Sequence, residues 1–143
     1  VNFRQYQPVI AVVAGSVGCF GGMSIAAGLC SYIVMTKEGR LGLNGPQVIE
    51  QEAGVQEYNA KDRPFIWSIT GGNQRFASGL ADAYVDDDRQ KIREQVIDYL
   101  TQGVPQQHRS SNYSFYLAKL QQVDTAEQIT PAQVQALYQG EQA

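Results

Sequence analysis

Apolar positions dominate the first part of the chain, and no charged residue occurs from Gln5 to Thr36. Within that span Val9-Ile-Ala-Val-Val-Ala14 is a continuous, largely β-branched run, the pattern of a strand buried on both faces. The segment Gly21 to Cys30 is apolar on all sides, as a fully buried helix would be. Tyr32-Ile-Val-Met35 predicts a second strand. A charge-free stretch of this length also suits a membrane helix, with Gly18 and Gly22 as a small-xxx-small pair. Gly15, Gly18, Gly21 and Gly22 interrupt it, however, and the apolar pieces on either side are short. Strand, glycine loop, helix and strand in close succession predict a βαβ crossover within a soluble core.

Beyond Met35 the pattern turns mixed. Lys37-Glu38-Gly39-Arg40 reads as a polar turn and Leu41-Gly-Leu43 as a short extended piece. Asn44-Gly45-Pro46 suits a helix start with Pro46 in its first turn, and Gly54 suits its end. Asp62 is placed to cap a helix through Pro64, Phe65, Ile66, Trp67 and Ile69, ending at Gly71-Gly72, with Trp67 in the core. Ala83-Tyr-Val85 is a candidate strand or turn. Asp86-Asp87-Asp88 then opens an amphipathic helix whose Ile92, Val96, Ile97 and Leu100 share one face, stopped by Gly103 and Pro105. Consecutive aspartates do not face one ligand from a helix, so capping and solvation account for the triplet better than a metal does.

After Pro105 the chain is glutamine-rich (Gln106, Gln107, Gln121, Gln122, Gln128, Gln133, Gln135, Gln139, Gln142). Short helices are expected at 114–123 and 130–139, the second capped by Thr130 and led by Pro131, and residues 106–112 read as a flexible link. The domain reading is therefore 1–105 for the α/β body and 106–143 for a helical tail. Because the chain begins at Val1 with no initiator Met, and core-like sequence starts at Pro8, a fragment or processed half is expected.

Composition narrows the chemistry. With 143 residues, 43% hydrophobic and 17% charged, the chain has room for one core. Eleven Lys+Arg against fourteen Asp+Glu leave a net charge of −3 and no basic face for nucleic acid. Two cysteines, Cys19 and Cys30, exclude a disulfide scaffold and fit a reduced, cytoplasmic chain. The single His108 excludes a His-rich zinc site, and no metal site is expected. Gly15-Ser16-Val17-Gly18 does not match the nucleophile elbow, and the glycines match neither a dinucleotide nor a P-loop fingerprint. What remains is a glycine loop opening a helix. The first amides of that helix, around Gly21, Gly22 and Met23, lie at the positive end of its dipole and suit an oxyanion such as a thioester enolate. Tight helix–strand packing explains the same glycines equally well.

These residues carry a resemblance. Pro8-Val-Ile-Ala-Val-Val-Ala, the Gly21-Gly22 helix start and Leu43-Asn-Gly-Pro-Gln-Val-Ile-Glu-Gln51 are similar to the carboxyltransferase family of acyl-CoA carboxylases. The fuller match is to the β subunits of malonate decarboxylase, through Val17-Gly-Cys-Phe-Gly-Gly-Met23, Leu41-Gly-Leu-Asn-Gly-Pro46, Asp62-Arg63 to Trp67, and Thr70-Gly-Gly-x-x-Arg75. It covers about Gln5 to Leu100 and makes the chain a C-terminal half. The resemblance implies an α/β fold of the crotonase type, a ββα spiral that is partial here. It implies a cytoplasmic hetero-oligomer with a γ subunit, an acyl-carrier subunit, a transferase subunit and the N-terminal half of the same polypeptide. Neither nucleic acid nor membrane is a partner. The implied reaction is decarboxylation of a malonyl thioester carried on the coenzyme-A-like arm of the carrier, with no cofactor bound covalently to this chain and no biotin. The alternative is a carboxyltransferase that passes the carboxyl group to biotin. Gly21 and Gly22 are the expected oxyanion donors, and Cys19, Phe20, Met23, Asn44 and Arg75 the expected substrate contacts. Gln47 is a further pocket candidate beside Asn44, whose alternative role is helix capping; the alternative for Arg75 is a surface salt bridge. Cys19, Tyr32 and water all remain open as proton source.

Overall fold

A computed structural model describes residues 3–139; Gln142 of the glutamine-rich tail lies outside the described residues. The expected crossover is present. Strand β1 (Ile10–Val13) leads through α1 (Gly22–Gly28) to β2 (Tyr32–Thr36), and the two strands pair in parallel with Ile10 opposite Tyr32 and Val13 opposite Met35. The chain then runs through α2 (Pro46–Ala53), α3 (Arg63–Thr70) and α4 (Gly72–Ala77) to β3 (Ala83–Val85), which pairs in parallel with β2. The sheet order is β1-β2-β3, so β2 is central and every one of its residues is buried.

The two-residue period of β2 divides the core. Ile33 and Met35 pack with Val13, Ala27, Leu41 and Ala81 on one face, while Tyr32 and Val34 pack with Ala83 and Tyr99 on the other. Tyr99 comes from α5 (Arg89–Gln102), and its ring stacks on Tyr32 with centroids 4.1 Å apart. The remaining elements are a 3₁₀ turn (Arg109–Asn112), α6 (Tyr113–Leu120) and α7 (Pro131–Gln139). The molecule is thus a mixed α/β protein built on a small parallel sheet. No described helix is long and apolar enough to cross a membrane.

Several caps fall where the local chemistry puts them. Asp62 accepts from Phe65 N–H and Asp88 from Lys91 N–H, each at the start of its helix, and Gly54 and Gly103 end α2 and α5 with positive φ. Other expectations need correction. Val12 is 41% exposed; it lies on β1, an edge strand that has one strand neighbour, β2, among the described residues. In α1 only Ala27 is buried, and Met23 and Ile25 are 70% and 57% exposed, because neither is covered by another described element. On α5 the buried residue is Tyr99, with Ile92 and Val96 half-buried as expected, whereas Ile97 and Leu100 are exposed. Gly72 does not end a helix but starts α4. The segment 106–112 is tied down rather than free. His108 Nε2 lies 3.2 Å from Ser31 Oγ, and Arg109 pairs with Asp82 at 2.8 Å. Tail glutamines reach α4, with Gln135 donating to Gln74 Oε1 and Gln139 to Ala77 O.

Candidate active site at the glycine loop

The loop from Gly15 to Gly21 leads from the end of β1 to the start of α1, with positive φ at Gly15, Gly18 and Gly21. At Gly18 a side chain is excluded twice, by φ of 89° and because a Cβ would fall on the Phe20 ring. Backbone bonds pin the loop to the segment after β2. Cys19 N–H donates to Arg40 O (2.8 Å), Gly42 N–H to Cys19 O (3.2 Å) and Gly21 N–H to Leu43 O (2.7 Å).

That third bond changes the donor set. Gly21, expected as an oxyanion donor, has its amide committed to a carbonyl, and its own carbonyl caps the first turn of α1 by accepting from Ser24 N–H and Oγ. The amides of Gly22 and Met23 have no partner among the described residues, as first-turn amides lack one within the helix. Both residues are exposed.

Met23, next to Gly22, also lines an apolar cavity of about 550 Å³ formed with β1, Gly18, Cys19 and Phe20. Three of the expected substrate contacts therefore meet there. A second cavity of about 320 Å³ shares Phe20 and is lined by Arg40, Gly45, Pro46 and Gln47. Asn44 is exposed and lines neither, and the cap position before Pro46 belongs to Gly45. Arg75 lines neither cavity. Its Nε donates to Leu41 O at 2.8 Å, so it braces the segment that bridges to Cys19; it joins none of the described ion pairs, and burial pushes its guanidinium down.

The proton sources separate by sheet face. Cys19 packs with the Ile33–Met35 face and lines the larger cavity, and burial raises its thiol above the ordinary cysteine value. Tyr32 projects from the opposite face, where its hydroxyl donates to Gly103 O at 2.8 Å. It is removed from the loop by strand geometry.

Two residues acquire roles that local sequence did not mark. Arg40, read as part of a polar turn, lies over Phe20 and Trp67, with its guanidinium carbon 5.5 and 4.4 Å from the ring centroids. Trp67 is accordingly only half-buried, with Arg63 over it at 4.1 Å. Burial, with Arg63 close by, pushes the Arg40 guanidinium down, although an arginine stays charged at neutral pH. Asp87, read as solvated, accepts from Thr36 Oγ1, Glu38 N–H and Gly15 N–H at 2.5, 2.6 and 3.3 Å. It thereby ties the start of the glycine loop to the end of β2. Such contacts join residues far apart in the chain, so no periodicity announces them.

No protein-family model matches the chain. The chain is similar to one in the crystal structure of a Pseudomonas malonate decarboxylase hetero-tetramer in complex with malonate, at 61% identity and a TM-score of 0.91, over 96% of this chain and 50% of that one. A protein of Malonomonas rubra named malonyl-S-ACP:biotin-protein carboxyltransferase MADC is 41% identical over 93 residues, 65% of this chain and 29% of that protein. The transcarboxylase 12S crystal structure with hydrolysed methylmalonyl-coenzyme A bound superposes with a TM-score of 0.51 at 29% identity, over 68% of this chain and 18% of that one. This chain spans half the length of the solved relative.

Proposed function

We propose that this chain, homologous to the malonate decarboxylase and carboxyltransferase proteins just described, supplies oxyanion donors for decarboxylation of a malonyl thioester within a crotonase-type ββα spiral. On this reading it is part of the β subunit of a biotin-independent malonate decarboxylase. It works with a γ subunit, a transferase subunit and an acyl-carrier subunit whose coenzyme-A-like arm presents the malonyl group. The observation that carries the reading is the pair of amides at Gly22 and Met23, unpartnered among the described residues, with Met23 also lining an apolar cavity.

The chemistry follows from charge. The bond between the carboxylate carbon and the adjoining methylene breaks, carbon dioxide leaves, and the electron pair moves into the thioester carbonyl as an enolate. Amides at the positive end of α1 stabilise that oxygen, each contributing on the order of 3 kcal/mol. The apolar walls of Phe20 and Met23 strip water from the departing carboxylate. The enolate carbon then takes a proton to give the acetyl thioester. We assign the donation to Cys19, which lines the cavity and whose thiol is raised above the ordinary cysteine value by burial.

Gly22→Val tests the reading. A Cβ at Gly22 meets no atom within 4 Å, so the valine crowds the approach to the amide without crowding the fold. In the full-length polypeptide with its partner subunits, turnover of malonyl to acetyl thioester falls about 100- to 1,000-fold while assembly is unchanged. Unchanged turnover would instead indicate a scaffolding role. The 41% identity to a biotin-protein carboxyltransferase favours a second reading, transfer of the carboxyl group to biotin. Avidin separates the two, since it abolishes only the biotin-dependent reaction.

A further inference from the structure

One residue touches the glycine loop at four places. Arg40 Nη2 donates to Ser16 O (2.5 Å) and Val17 O (2.9 Å), its carbonyl accepts from Cys19 N–H (2.8 Å), and its guanidinium lies over the Phe20 ring. Trp67 holds the same guanidinium from α3. Its Nε is buried without a hydrogen-bond partner, a cost that the contacts to the loop and to the two rings offset. With three of the loop glycines at positive φ, the loop has little conformational preference of its own, so its path depends on such outside contacts. We propose that Arg40 is a positioning residue, fixing the path of residues 16–20 and hence the placement of the Gly22 and Met23 amides and of Cys19 and Phe20 at the cavity. Arg40 bonds two successive carbonyls through Nη2 while its flat guanidinium lies over the Phe20 and Trp67 rings, and a lysine ammonium offers no such flat face. The inference rests on the decarboxylase reading for its catalytic consequence, but not for its structural one.

The test uses Arg40→Ala and Arg40→Lys in the full-length polypeptide assembled with its partner subunits, with Arg63→Met as the control. Arg63 shares Trp67 but makes no described contact with the loop. Amide hydrogen exchange is expected to rise across residues 15–25 in Arg40→Ala and not elsewhere. The kcat for malonyl thioester falls about 100-fold, the scale of a misplacement near 1 Å, with KM near the wild-type value. Added guanidinium ion restores turnover saturably in Arg40→Ala, whereas Arg40→Lys stays impaired and Arg63→Met keeps wild-type turnover. Unchanged exchange in the loop overturns the proposal, as does a rise in exchange spread over the whole chain or full turnover in Arg40→Ala. If the wild-type assembly itself shows no turnover, the decarboxylase reading fails, and the exchange measurement still decides the role of Arg40.

Discussion

Asp87→Ala probes how the glycine loop is anchored to the sheet. The carboxylate receives three hydrogen bonds, from Thr36 Oγ1, Glu38 N–H and Gly15 N–H. Thr36 is fully buried at 0% exposure, so its hydroxyl loses its acceptor when the carboxylate goes. That loss costs about 1–3 kcal/mol. The two amides lie in exposed contacts, where water replaces the acceptor and solvent screens the charge, so each adds only about 0.5 kcal/mol. The expected destabilisation is therefore about 2–4 kcal/mol, read as a lower urea midpoint at unchanged m-value. Thr36→Val in the Asp87→Ala background removes the orphaned hydroxyl, and the double-mutant cycle should show coupling of about 1 kcal/mol or more. The pH dependence carries its own sign. Burial pushes the Asp87 carboxyl up, but the bonds from Thr36, Glu38 and Gly15 outweigh it and leave it below the usual value. A depressed native pKa gives stability that is present above the unfolded value near 4 and is lost as the pH falls through the native one. Asp87→Ala should flatten that acid limb. A midpoint within about 0.5 kcal/mol of wild type, or a cycle with no coupling, would refute the reasoning.

Two further outcomes are expected. Gly18→Ala forces an alanine to φ of 89° and drives its methyl onto Phe20, so stability falls by about 1–3 kcal/mol in urea, whereas Gly22→Val, in open space, leaves the midpoint unmoved. Tyr99 has its phenol pushed up to about 12 by burial first and by the carboxylates of Asp82 and Asp98 next. A raised native pKa gives stability that is present below the unfolded value near 10 and is lost as the pH rises towards 12, so Tyr99→Phe should reduce the alkaline loss; spectrophotometric titration of tyrosinate beside urea midpoints checks this.

The elements that the chain determined locally are those whose signals are local. The β-branched run at Val9–Ala14, the apolar Tyr32–Met35 and the glycines between them suffice for a parallel βαβ unit, because a right-handed crossover is nearly obligatory for that pattern. Asp62, Asp88, Gly54 and Pro46 set helix ends through bonds within one turn or through their own φ. Exposure was not legible in the same way. Met23, Ile25 and Val12 are apolar enough for a core, yet an apolar period says which face seeks cover and not whether another element supplies it. The loop motif likewise located the candidate donors but not their state: Gly21 lost its amide to Leu43, and Tyr32 fell on the far face of β2. Arg40 over Phe20 and Trp67, and Asp87 between Thr36 and Gly15, join segments that meet only when the sheet and α3 are assembled. Hydrogen bonds and ring contacts act over a few ångströms in space, so their partners are set by the packing of elements and not by the order of residues along the chain.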